Sequence, residues 1–130
     1  MTFTTALVAF AVISLIYLMI EVFYTYHTFG TGYGWSSNRK TEKELPDLGK
    51  RIKNTLQNQV ESATYIVPVL TVAIATGLEH SGAEIAALLI VIGRAAFGPL
   101  YYTGVPFIRI PAWGLGWIST AYIAVILLSQ

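Results

Sequence analysis

Gln57-Asn58-Gln59-Val60-Glu61-Ser62-Ala63-Thr64-Tyr65-Ile66-Val67-Pro68 is where this chain passes from a polar segment into an apolar one, and it takes an amide and a carboxylate across that boundary. Asn58 and Glu61 are three apart and so share one face of a helix. Further on, Arg94 interrupts the apolar run of residues 83–102. Hydrocarbon penalises a charge at a helix centre by roughly 2.5–3.5 kcal/mol on insertion scales. A charge kept there pairs with another group or binds a ligand, so Asn58, Glu61 and Arg94 set the question of function.

The rest of the chain agrees with a membrane setting. Of its 130 residues 55% are hydrophobic and 12% charged, which is the balance of an integral membrane protein rather than a water-soluble domain. One crossing takes about 20 apolar residues. Four stretches qualify, at about residues 3–24, 60–78, 83–102 and 111–128. With their flanks they predict helices over residues 3–26, 54–78, 83–103 and 111–129, a cytoplasmic loop over 30–53, and one integral membrane domain spanning 1–130. The expected fold class is all-α: a four-transmembrane-helix bundle of left-handed up-down topology. No Lys or Arg precedes Arg39 and the first apolar run is long, so it reads as a retained helix, not a signal peptide. The absence of cysteine excludes disulfides and thiolate chemistry by the chain itself.

Six of the eight basic residues (Arg39, Lys40, Lys43, Lys50, Arg51 and Lys53) lie in the segment before the second helix. Arg109 precedes the fourth helix, whereas the link Glu79-His80-Ser81-Gly82-Ala83-Glu84 has no basic residue. By the positive-inside rule the first loop and the Arg109 turn face the cytoplasm, and both termini lie outside, in the periplasm of a bacterial cell. The net charge of +1 follows from this topology and carries no sign of nucleic-acid binding. Trp35, Trp113 and Trp117 suit an interfacial aromatic belt. Residues 50–59 are polar with few breakers, so the second helix is expected to extend about two turns out of the membrane, with Pro46 and Gly49 marking its start. Pro68 should kink it.

Arg94 and Tyr101 are seven apart and share a face of the third helix, and Arg109 follows at the cytoplasmic mouth. Asn58, Glu61, Arg94, Tyr101 and Arg109 can therefore line one cytoplasm-facing pocket. Such a pocket suits a small zwitterion or anion: arginines take carboxylates in forked geometry, and Glu61 takes an ammonium. Equally open is a buried Glu61–Arg94 pair that only fixes helix register. Glu21 is expected as a packing partner of Arg94 or of a loop lysine. His80 reads as solvated and His27 as interfacial, with no metal site. Gly30-x-Gly32-x-Gly34 follows no strand, so it is not a phosphate loop.

The stretch from Gln57 to Ser62 with Pro68 downstream resembles the second-helix Asn-x-x-Glu signature of the MAPEG family, the membrane-associated proteins in eicosanoid and glutathione metabolism. Gly93-Arg94-Ala95-Ala96 with Tyr101 resembles the family's third-helix pattern. Gly104-Val105-Pro106-Phe107-Ile108-Arg109 is similar to its Pro-x-x-Arg turn. The resemblance spans nearly the whole chain. It implies a homotrimer of four-helix protomers with glutathione between subunits near the cytoplasmic face, and a lipophilic second substrate arriving from the membrane lipids. Asn58, Glu61, Arg94, Tyr101 and Arg109 match its glutathione-binding or pocket-supporting positions, with Arg109 and Tyr101 in the catalytic role, where Tyr102 is an alternative donor.

The chain also departs from that pattern. Asn54 and Gln57 stand where glutathione-active members often have arginines, Phe97 where prostaglandin-synthase-like members have His, and Ile110 where they have Ser. The Gln-Asn pair is closer to the lipid-binding, non-catalytic five-lipoxygenase-activating members. The functional expectation is a glutathione-dependent transferase or peroxidase acting on lipophilic electrophiles or lipid hydroperoxides. Its rivals are a non-catalytic lipid-binding or scaffold protein of the same fold and a small multidrug-type transporter using Glu21. Compact length and short links suit a bacterial inner membrane.

Overall fold

The computed structural model describes residues 1–30 and 46–130, which form four helices. They are α1 (Phe3–Phe29), α2 (Asp47–Ala75), α3 (Ser81–Tyr102) and α4 (Ile110–Leu128). Trp35, Gly32, Gly34, Arg39, Lys40 and Lys43 lie outside the described residues.

Local chemistry explains each boundary. The Thr2 hydroxyl accepts the Thr5 N–H at 3.1 Å and starts α1, and Gly30, at φ 84°, ends it. Pro46 precedes α2, and Asp47 in the first turn faces the positive end of the helix dipole. The second helix thus begins seven residues before position 54, because nothing in its polar first turns breaks a helix, and it stops at Ala75. There Gly77, at φ 64°, donates to the Ile74 carbonyl and Leu78 donates to that of Ala73. This is the Schellman arrangement, with Leu78 folded back into the core. His80 is not merely solvated: its Nδ1 accepts the Ala83 N–H at 3.1 Å and caps α3.

One apolar cluster joins the start of α1 (Phe3, Ala6, Phe10), the end of α2 (Ile66, Leu70, Ala73), the start of α3 (Ala83, Ala87, Ile90) and Ile123 of α4. Successive helices therefore run in opposite directions. The many alanines allow close approach, as is usual where lipid removes the hydrophobic drive for helix association. α3 packs most extensively on α4, and α1 on α2. Among the described residues α1 and α4 do not meet, so α2 and α3 form the shared middle of the bundle.

α1, α3 and α4 are long and apolar enough to cross a membrane. Three of the four expected spans thus meet the requirement by length and composition. α2 carries Asp47, Lys50, Arg51, Lys53 and Glu61, which leaves only residues 62–78 uncharged. The outward faces are apolar, with Val8, Val12, Leu15, Ile16 and Phe23 of α1 all exposed. A surface of this kind in contact with water would be an aggregation hazard; in contact with lipid it is matched to its solvent.

Tyr17 of α1 enters the backbone of α3. Its hydroxyl accepts the Gly98 N–H at 2.9 Å and donates to the Arg94 carbonyl, with the Ala95 carbonyl 3.3 Å away. The hydroxyl thus stands in the rung between the Arg94 carbonyl and the Gly98 N–H; Pro99 has no N–H to offer Ala95 four residues back, and that carbonyl has at most a shared, longer contact with the same hydrogen. Gly98 makes room: a Cβ there would lie 2.3 Å from the Tyr17 ring. Gly98→Ala should destabilise the detergent-solubilised protein by about 1–3 kcal/mol. Gly114→Ala, where the nearest atom is 3.8 Å from the added methyl, should leave the melting temperature unchanged. Equal melting of both variants would refute this packing.

Candidate functional site

Below the apolar cluster the core turns polar: Thr55, Gln59 and Ser62 of α2, Arg94 of α3, and Ser119 and Thr120 of α4 are all buried. Arg94 is 0% exposed. Its Nε donates to Gln59 Oε1 at 2.9 Å and its Nη2 to Asn58 Oδ1 at 2.8 Å. Gln59 Nε2 then donates to Ser14 Oγ at 2.8 Å, and Ser14 donates to the Phe10 carbonyl at 2.8 Å. The guanidinium carbon sits 4.7 Å from the centre of the Phe97 ring, a cation–π contact. On α4, a Cβ at Gly116 would lie 3.2 Å from Arg94 Cδ. Nη1 has no partner among the described residues.

These contacts correct two expectations. Glu61 is exposed and is not the partner of Arg94, which two neutral amides hold instead. Glu21 accepts from Thr25 Oγ1 at 3.1 Å, one turn along its own helix, and is not bonded to Arg94; the alternative partners Lys40 and Lys43 lie outside the described residues. The reason is register: positions 55, 59, 62, 66, 70 and 73 form the inward stripe of α2, and Glu61 falls beside it.

Next to this core lies a cleft of about 380 Å³. Asn54, Gln57, Asn58 and Glu61 of α2 form one wall; Phe97, Tyr101, Arg109, Ile110 and Trp113 form the other. Four of the five site residues expected from sequence meet here. Arg94 is not on the wall but stands behind it, holding the Asn58 oxygen so that the Asn58 NH₂ group is left to the cleft. Arg109 places its guanidinium 4.3 Å from the Tyr101 ring centre, and Phe97 meets the same ring edge-on at 5.6 Å. Asn54 Nδ2 donates to the Tyr101 hydroxyl at 3.3 Å. Tyr102, the other candidate donor, is turned away: its hydroxyl is buried without a partner among the described residues and its ring packs edge-on against Tyr17.

The cleft is amphipathic. Glu61 and Arg109 give it opposite charges, Asn58 gives it amide donors, and Phe97, Ile110 and Trp113 an apolar floor. Trp113 and Trp117 stack 5.7 Å apart as an aromatic pair, yet Trp113 is also cleft wall, which the belt reading did not foresee. Gln59, Ser14 and Tyr17 were also missed. Only Gln59 had a signal, its place on the 3.6-residue inward stripe of α2. Arg109 is reached through a turn in which Phe107, 75% exposed, adopts φ 71°. That conformation costs a non-glycine residue of order 1–3 kcal/mol.

Arg94→Met should destabilise the protein strongly, because it strips two amide groups of their partner at about 1–3 kcal/mol each. Arg94→Lys should restore little, since an ammonium cannot serve Asn58 and Gln59 as a fork. Chemical unfolding in detergent tests both against Glu61→Gln, which should unfold like the parent because Glu61 is exposed.

A search of curated proteins finds no match, and neither does a search of solved structures. The family model described as MAPEG family matches residues 2–129. Four antiparallel helices, a buried arginine clasped by amides and an amphipathic cleft beside it are thus the form taken here by a membrane protein that belongs to the MAPEG family.

Proposed function

We propose that this protein is a glutathione-dependent membrane transferase that joins the thiol of glutathione to lipophilic electrophiles, or uses it to reduce lipid hydroperoxides. The observation that carries this reading is the meeting of Asn58, Glu61, Tyr101 and Arg109 on one amphipathic cleft. Glutathione is a zwitterion with two carboxylates, an ammonium and a thiol. Glu61 suits the ammonium, Arg109 a carboxylate or the thiolate, and the Asn58 amide a peptide carbonyl. The apolar floor of Phe97, Ile110 and Trp113 suits the greasy partner.

The chemistry asks for positive charge and a hydrogen-bond donor near sulfur. A free thiol ionises near 8.5, and a neighbouring Arg lowers that value. Arg109 and Tyr101, in contact with each other, supply both. Attack of the thiolate on an electrophilic carbon forms the thioether and expels the leaving group. With a hydroperoxide, two glutathione molecules are oxidised to the disulfide while the peroxide becomes an alcohol and water. In this reading the protein works as a homotrimer in a bacterial inner membrane, with the clefts between subunits near the cytoplasmic face and both termini periplasmic.

A second reading, a non-catalytic lipid-binding protein of the same fold, draws support from the cleft's polar wall. Asn54, Gln57 and Asn58 are neutral, and Arg109 is the one cation on its lining among the described residues.

Calorimetric titration of glutathione into the purified protein decides between them. Binding in the range of about 1 μM to 1 mM is expected, weakened at least tenfold by Glu61→Gln and by Arg109→Ala. Tyr101→Phe should lower the turnover of a model aromatic electrophile by about 10²-fold with little change in KM. No heat of binding, together with lipid retained through purification, would favour the second reading.

A further inference from the structure

Tyr101 is held on every side but one. The Arg109 guanidinium covers a face of its ring at 4.3 Å and Phe97 abuts it edge-on at 5.6 Å, so the ring plane is fixed. What remains free is the torsion of the hydroxyl, and among the described residues the one group hydrogen-bonded to it is Asn54 Nδ2, at 3.3 Å. Asn54, Asn58 and Glu61 follow one another at helical spacing along the same face of α2, which is why all three border the cleft.

An amide nitrogen only donates. The Tyr101 oxygen therefore accepts from Asn54, and its own hydrogen must point elsewhere. No acceptor for it is found among the described residues, and the open direction is the cleft, which both side chains line. We infer that Asn54 is a positioning residue that fixes the Tyr101 hydroxyl as a hydrogen-bond donor into the cleft, toward an anionic atom of the bound substrate. This rests on the functional reading above for the identity of that substrate, the glutathione thiolate, but not for the orientation itself.

The orientation is tested without any ligand. In the full chain, carrying tyrosine labelled with ¹³C at the ζ position, the Tyr101 resonance is assigned by its loss in Tyr101→Phe. Asn54→Asp places a carboxylate that can only accept, so the hydroxyl should turn to donate to it and the resonance should move in the phenolate direction. Asn54→Leu should move it the other way, and Asn54→Gln, which keeps the donor, should leave it nearly unmoved. A Tyr101 resonance that ignores Asn54→Asp overturns the proposal.

Kinetics with glutathione and a model electrophile then test the positioning role. Asn54→Asp and Asn54→Leu should each lower kcat by about tenfold or more, the worth of one hydrogen bond to a charged atom, with KM changed little. In the Tyr101→Phe background neither should cost anything further. A loss that persists in that background would show that Asn54 acts otherwise than through Tyr101. Because Asn54 is exposed, melting temperatures should not move. If the parent protein binds no glutathione, the functional reading falls while the resonance data still decide the orientation.

Discussion

A guanidinium with no carboxylate beside it among the described residues, enclosed by four helices, is the constraint on which this structure turns. A buried cation is tolerated only when its hydrogen bonds are met, and truncating one partner of such a group costs far more than the bond is worth in water. Here two neutral oxygens from adjacent residues of α2, Asn58 and Gln59, meet Nε and Nη2 of Arg94. The backbone carbonyl of the same residue is met by Tyr17. Arg94 thus binds α3 to α2 through its side chain and to α1 through its backbone, while its aliphatic stem rests on the missing side chain of Gly116 in α4. Every helix is located relative to this one residue.

That arrangement also separates two tasks that the charges share. Arg94 keeps its charge inside the core, where it orders Asn58 from behind. Glu61 and Arg109 put theirs at the cleft, where a ligand can reach them. The charge that stabilises and the charges that recognise are one side chain apart, joined by the Asn58 amide, whose oxygen belongs to the fold and whose nitrogen belongs to the site. Such sharing transmits precision: the cleft wall can be no looser than the core behind it.

Much of this was legible in the residues. Apolar runs marked the helices, Pro46 marked where α2 starts, and the spacing of Asn58 and Glu61, with Tyr101 and Arg109 downstream, assembled most of the cleft before any coordinates. What failed was the pairing of opposite charges. Glu61 and Arg94 invite each other on paper, but a sequence reports which groups are present, not which neutral groups compete, and Gln59 lies one stripe further in than Glu61. Tyr17 was invisible for a related reason. Its hydroxyl enters the rung of α3 just before Pro99, and nothing local to either residue names the other across the fold. α2 reads less plainly as a span because its apolar half, residues 62–78, follows a polar, charged half.

The tie between Tyr17 and the Gly98-Pro99 step makes two positions distant in sequence a single packing unit. A hydroxyl from α1 stands in the backbone of α3 beside the proline, and that hydroxyl fits only while position 98 has no side chain. Without that hydroxyl the Gly98 N–H loses its acceptor and the Arg94 carbonyl its donor, and with a side chain at position 98 the tyrosine ring has no room. The first and third helices are therefore keyed together at this crossing by one hydroxyl and one missing methyl.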